Sequence, residues 1–196
     1  FLKPQYATLQ RYPEKDKSVE ARYARAIAYY RRSQFDKALP LVDSLLADVP
    51  KDPFFWQIKG DMLLSRTQID PAIDAYKEAL KSLPDAPEIL VAMAHAMVES
   101  HTEAYNADCQ EALKHALAID AENPEAWDLL ATSYASTNNQ GMSAYAAAER
   151  AMLTGQFGDV ARYSNQAEKL LEKGTPTWYR LQDIMVSRSE EHTSEL

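Results

Sequence analysis

Small and large apolar residues recur in this chain at intervals of 34. Ala38 and Ala72 are 34 apart, as are Pro50 and Pro84, Ala26 and Gly60, and Val42 and Tyr76. A period of that length marks a supersecondary unit that cannot bury its apolar face alone and therefore stacks on copies of itself. Each unit is then two antiparallel helices of about fourteen residues, with a small residue where two backbones cross closely and a large one where a gap must be filled. No segment shows the alternating apolar and polar pattern of a strand.

The second unit, from Pro53, carries the scheme most fully. Trp56 and Leu63 are fillers, Gly60 sits at the close crossing, Ala72 and Ala79 are small contacts, Tyr76 is an aromatic plug and Pro84 the stop. These positions resemble the tetratricopeptide repeat (TPR). The first unit, from Val19, repeats them with Ala26, Tyr29, Ala38, Val42 and Pro50, and the third, from Pro87, with Leu90, Met93, Ala94 and Met97. There the register slips, because Tyr76 maps to Leu113 and Ala79 to Ala116, a step of 37. Three extra residues are thus expected in a longer turn between His101 and Asp108. The fourth unit starts at Pro124, with Trp127, Leu130, Ala131 and Tyr134.

Beyond it the phase changes. Trp127 and Trp178 are 51 apart, one and a half repeats, so the segment Gly141 to Leu153 must serve as second helix of one unit and first helix of the next. Gly155 marks the turn into a helix from about Phe157 to Leu171, and a last helix starts near Pro176. Asp52-Pro53, Asp70-Pro71, Asn123-Pro124 and Thr175-Pro176 each place a capping side chain before a proline at the first helical position. The expectation is an all-α, TPR-type α-solenoid of about ten antiparallel helices over 19–187, after a lead-in over 1–18 from an upstream domain.

Composition sets limits on function. With 46% hydrophobic residues in 196, the chain can build a sizeable core, and a net charge of −8 with pI near 5.0 lacks the basic stripe that nucleic acid requires. No apolar run approaches the roughly 20 residues that cross a bilayer, so a soluble chain without a transmembrane segment is expected. Cys109, the single cysteine, falls at the small-residue position of Ala38 and Ala72, which favours buried packing over a reactive thiol and leaves no internal disulfide.

Both ends depart from the repeat. The chain opens on Phe1-Leu2-Lys3-Pro4, as though cut from something longer, and its last run, Arg188 to Leu196, resembles the translation of a common sequencing adapter. Residues 188–196 are therefore set aside from the fold as an artefact.

The residues offer little for chemistry. His95 and Glu99 are four apart on one helix, with His101 and Glu103 close behind, yet the His-Glu-x-x-His arrangement that sets two zinc ligands one turn apart around a general base is absent. There is no glycine-rich phosphate loop, no cysteine pair and no nucleophile motif. The chain reads as non-catalytic, without a metal or other cofactor of its own.

A binding groove is the better expectation. The first helices of such a repeat line a concave face, here with Tyr23, Ile27, Tyr30 and Arg31, then Phe54, Gln57, Asp61 and Leu64, then Glu88, Val91, His95 and Val98, then Asp128 and Thr132. Aromatic and aliphatic groups mixed with a few charges suit an extended or partly unfolded polypeptide, or another domain of the same protein. Tyr30 follows the core Tyr29 by one position and so turns about 100° from the packed side. Tyr23 and Ile27 stand where some TPR domains carry the Lys and Asn that clamp a chaperone's carboxylate tail, so that partner is not expected.

A closer likeness lies in the flanks. Thr8-Leu9-Gln10-Arg11-Tyr12-Pro13 and Ala21-Arg22-Tyr23-Ala24-Arg25-Ala26-Ile27-Ala28-Tyr29-Tyr30-Arg31 resemble the start of the C-terminal TPR region of periplasmic zinc metalloproteases of the BepA type. Gly174-Thr175-Pro176-Thr177-Trp178 with Gln182-Asp183-Ile184 is similar to its close, so the likeness covers roughly residues 6–186. It implies an upstream zincin domain with His-Glu-x-x-His and a further Glu ligand, a signal sequence, a periplasmic location and a role in outer-membrane protein quality control. The implied function is a non-catalytic module that binds its own protease domain and misfolded envelope proteins. A freestanding TPR adaptor is the alternative.

Overall fold

The computed structural model describes the backbone of residues 5–194 and the side chains of residues 5–186. Phe1-Leu2-Lys3-Pro4, and the side chains of the adapter-like run 188–196, lie outside the described residues. The chain divides into two compact units, Phe1–Pro84 and Asp85–Leu196.

The first unit holds α1 (Gln5–Arg11), α2 (Val19–Tyr30), α3 (Phe35–Asp48), α4 (Pro53–Leu64) and α5 (Ile69–Ser82), each packed on the next. Helices α2 to α5 are two helix pairs at the expected starts, and α1 is an additional helix within the segment read as a lead-in. Ala26, Ala38, Val42, Leu45 and Met62 are wholly buried in its core. Ser18 and Asp52 cap α2 and α4 through their side-chain oxygens, Asp52 accepting from the N–H groups of Phe54 and Phe55 at 2.9 and 3.1 Å.

Asp70-Pro71 does not start a helix as the sequence suggested. The carbonyl of Gln68 already accepts the first helical bond from Ala72, so α5 begins at Ile69. Asp70 lies instead in the first turn, where its charge suits the helix dipole, and Pro71 sits where its missing N–H has no helical partner to lose.

The second unit holds α6 (Pro87–Glu99), a 3-10 turn (Glu103–Tyr105), α7 (Asn106–Ile119), α8 (Pro124–Ser136), α9 (Gln140–Leu153), α10 (Phe157–Leu170) and α11 (Pro176–Ser194). The three extra residues lie where the register slip put them, after His101: Thr67 stands two residues before the start of α5, His101 five before that of α7, with the 3-10 segment in the longer turn. Helix α9 packs on both α8 and α10, the double role that the 51-residue tryptophan spacing requires. Asn123 and Thr175 cap α8 and α11 as expected, through bonds from the N–H groups of Ala126 (3.0 Å) and Trp178 (3.2 Å).

Two features recur with the repeat. Trp56 and Trp127 fill gaps, and each also donates its indole N–H to the carbonyl six residues upstream, of Pro50 (2.8 Å) and Ala121 (2.9 Å), tying the preceding turn to a first helix. Each turn from a first to a second helix holds one residue with positive φ: Ser33, Thr67, His101, Asn138 and Gly155. At four of them the next N–H reaches back five residues along the chain, as in Gln34 to the Tyr29 carbonyl and Gln156 to that of Ala151, closing a Schellman-type end. Asn138 and Gly155 are 17 apart, half a repeat, which again marks α9 as the shared helix.

Candidate functional site: the first-helix faces

In the first unit the face is built on α2 and α4. Tyr23 is half-buried with its ring 5.6 Å from that of Phe55, and burial first, then the charges of Asp52 and Asp61, push its phenol above the ordinary value. Ile27, Gln57 and Leu64 are half-buried, Phe54 is exposed, and Arg31 stands exposed at the end of α2.

Tyr30, read as turning from the packed side, does not stand free: it is half-buried and packs against the core of the first unit. Its ring lies 6.0 Å from Phe35, and its hydroxyl donates to the Asp61 carbonyl at 3.4 Å and sits 3.1 Å from Ser65 Oγ. It is a strut between α2 and α4, so truncating it would disturb packing as well as the face.

Asp61 is the most constrained member. Its carboxylate accepts from the Tyr76 hydroxyl at 2.8 Å, and burial holds its pKa above the ordinary 3.8 against the lowering effect of that bond. A carboxyl raised in the folded state adds stability below its unfolded pKa and loses it as pH climbs through the folded value. Asp61→Asn keeps an acceptor for Tyr76 and cannot ionise. The stability of this variant relative to the unaltered chain should therefore grow from about pH 4 to pH 7 and vanish near pH 3, measured by urea titration across that range. A difference independent of pH would contradict the assignment.

In the second unit, His95 is half-buried and its Nε2 lies 3.3 Å from Glu99 one turn on. Asp128 is exposed, paired with Arg150 of α9 at 3.4 Å, and its carbonyl accepts from Thr132 at 3.0 Å. Glu88 is exposed and Val98 half-buried, whereas Val91, read as lining the face, is only 5% exposed and belongs to the core. Val91 is one of seven buried residues of α6, which is packed nearly all round. Thus Tyr23, Tyr30 and Asp61 form one group, while His95 and Asp128 stand on separate helices with partners of their own.

These residues do not fit a metal. His95 and Glu99 offer two donors on one helix, and among the described residues no three His, Cys, Asp or Glu side chains converge. Cys109 is buried, its thiol donating to the Ala94 carbonyl at 3.7 Å, and burial pushes it above the ordinary range, which leaves it a packing residue. No helix among the described residues is long and apolar enough to cross a membrane.

Paired antiparallel helices with a recurrent left-handed turn, each first helix carrying a half-buried mixed face, define a TPR protein-interaction module. Residues 38–156 match the cytochrome c-type biogenesis protein H TPR domain, and the chain belongs to that family. It is also 25% identical over 157 residues to the beta-barrel assembly-enhancing protease of Yersinia pestis, and 24% identical over 155 residues to that of Escherichia coli (strain K12). These matches cover 80% and 79% of this chain but 32% and 31% of the relatives, so the chain spans about a third of their length. Among solved structures it is similar to MamA from Desulfovibrio magneticus RS-1 (residues 41 to the end), with TM-score 0.68 and 12% identity over 91% of this chain and 97% of that one. An RS-1 MamA double mutant gives 0.70 and 18% over 79% and 87%. At such identities these likenesses speak for the fold alone.

Proposed function

We propose that this chain is the polypeptide-holding module of a periplasmic zinc metalloendopeptidase, docking on the protease domain and presenting misassembled envelope proteins to it. The observation that carries this reading is the similarity to two beta-barrel assembly-enhancing proteases along four fifths of the chain, but only a third of theirs. The first-helix faces supply the means: apolar groups for a client's side chains, and Gln57, Asp61 and Arg31 for its backbone and charges. Zinc and the catalytic residues would belong to the protease domain, not to this chain.

The test begins upstream of Phe1. The coding sequence there should specify a domain with His-Glu-x-x-His, and that domain, purified, should bind this chain in a calorimetric titration. Leu64→Asp, which places a charge in the half-buried face of α4, should weaken the complex by at least about tenfold, or 1.4 kcal/mol. An initiator methionine and leader directly before Phe1 would instead favour a freestanding TPR scaffold, and a protease domain that ignores this chain would defeat the docking role.

A further inference from the structure

Charge is unevenly distributed in this acidic chain: residues 1–40 hold nine basic and four acidic residues, and the remainder 12 basic and 25 acidic. Part of the basic surplus converges on a cavity of about 530 Å³ in the first unit, walled by the turn before α2, by α2 and by α3. Lys17, Arg22, Arg25 and Lys37 all line it.

Arg25 is the unusual member. It is 3% exposed, and its Nη1 donates to the carbonyls of Tyr12 (3.3 Å) and Pro13 (2.8 Å). Among the described residues no carboxylate lies within ion-pair distance of it. Asp16, in the turn before α2, feels its charge from beyond that distance, and a buried guanidinium with no carboxylate in contact is costly, its field poorly screened. Arg22 bonds the Ser44 carbonyl and hydroxyl through Nη1 and Asp48 through Nη2, leaving its buried Nε–H without a partner. Of the two carboxylates at the cavity, Asp36 is already engaged by Arg66 at 3.2 Å, and with Arg22 paired to Asp48 this leaves Glu14 against three cations, Lys17, Arg25 and Lys37.

We infer that this cavity is a second binding site, one for a carboxylate carried on a peptide. A carboxylate would offset the Arg25 charge and meet Lys17 and Lys37 at the rim, in the pairing that guanidinium and ammonium groups favour. A bare anion would leave most of the volume empty. Tyr29, Pro40 and Leu41 supply apolar wall for the rest of a residue. A polyanion such as nucleic acid is disfavoured by the acidic remainder of the chain. The site is distinct from the first-helix face: on α2 the stripe Arg22, Arg25, Tyr29 lies about 130° around the helix from Tyr23, Ile27, Tyr30. It therefore stands whether or not the protease reading does.

The test is fluorescence anisotropy at low ionic strength with the full chain and three labelled peptides. One alternates leucine and glutamate and is amidated, one is its glutamine counterpart, and one is the glutamine peptide with a free terminal carboxylate. Binding of the glutamate peptide assigns a side-chain carboxylate, and binding of the third alone assigns a chain end. Lys17→Glu with Lys37→Glu, both exposed, should weaken either by at least about tenfold without shifting the thermal melt, whereas Lys114→Glu with Lys169→Glu in the second unit should not. Equal binding of the amidated glutamine peptide, or equal losses in both charge-reversed pairs, would overturn the assignment.

Discussion

Gly60→Ala should destabilise the protein by about 2 kcal/mol, although helix propensity alone would make it stabilising by roughly 1 kcal/mol. A Cβ at Gly60 would lie 2.5 Å from Cε1 of Tyr76 and 2.8 Å from Cδ1 and Cζ. The ring cannot easily retreat, being 1% exposed and held through its hydroxyl by Asp61. The repeat itself supplies the remedy, because the equivalent positions of the first pair hold Ala26 and Val42, both wholly buried. In a Tyr76→Val background, Gly60→Ala should therefore become neutral or stabilising. Urea titrations of the four members of this cycle should show a coupling of about 2–3 kcal/mol. Equal effects of Gly60→Ala in the two backgrounds would remove close packing as the cause.

Arg180→Ala should have a comparable effect, about 2 kcal/mol, in the second unit, because the carboxylate it serves is buried although Arg180 itself is 59% exposed. Glu149 of α9 is only 4% exposed, and its carboxylate accepts from the Tyr145 hydroxyl at 2.7 Å and from Arg180 Nε and Nη2 at 2.8 and 3.2 Å. The Tyr145 phenol is pushed well above its ordinary value, by burial first and then by Glu149, and it stands edge-on to Trp127 at 5.8 Å. Removing Arg180 leaves a buried carboxylate with one neutral partner. Because breaking such a pair costs more than replacing it, adding Glu149→Gln should restore part of the loss: glutamine still accepts from Tyr145 and carries no charge. A loss no larger than that of an exposed ion pair, under about 1 kcal/mol, would show that Arg180 does not serve Glu149 in solution.

How much of this could be read from the sequence varied with the physics behind each element. Proline after Asp, Asn or Thr marks helix starts because the side chain and ring each satisfy a local geometric need, and three of the four such pairs cap as expected. Asp70-Pro71 fails because the decisive event, the turn closed by Gln68 on Leu63, lies just before it. Among the left-handed turn residues, Gly155 and, less strongly, Asn138 and His101 are of types that favour or tolerate positive φ, whereas Ser33 and Thr67 adopt it with nothing in their type to announce it. Nothing in the sequence singles out Glu149, in an alanine-rich helix, because its partner Arg180 is 31 positions away. Nor does anything single out Arg25 among the arginines of α2, since only the folded lead-in turns carbonyls onto it. On the first-helix faces, residue type and spacing place Tyr23, Ile27, Gln57, Asp61 and Leu64 on half-buried surface, but they do not show that Tyr30 bonds across to α4 or that Val91 is buried.

The claim that first helices hold polypeptide is tested most directly by hydrogen exchange of the full chain with and without a permanently unfolded protein, such as reduced and carboxymethylated α-lactalbumin. Slowed exchange is predicted along α2, α4, α6 and α8, with α3, α5 and α7 unchanged. Protection confined to those second helices, or none at all under conditions where the unfolded protein is bound, would contradict the account.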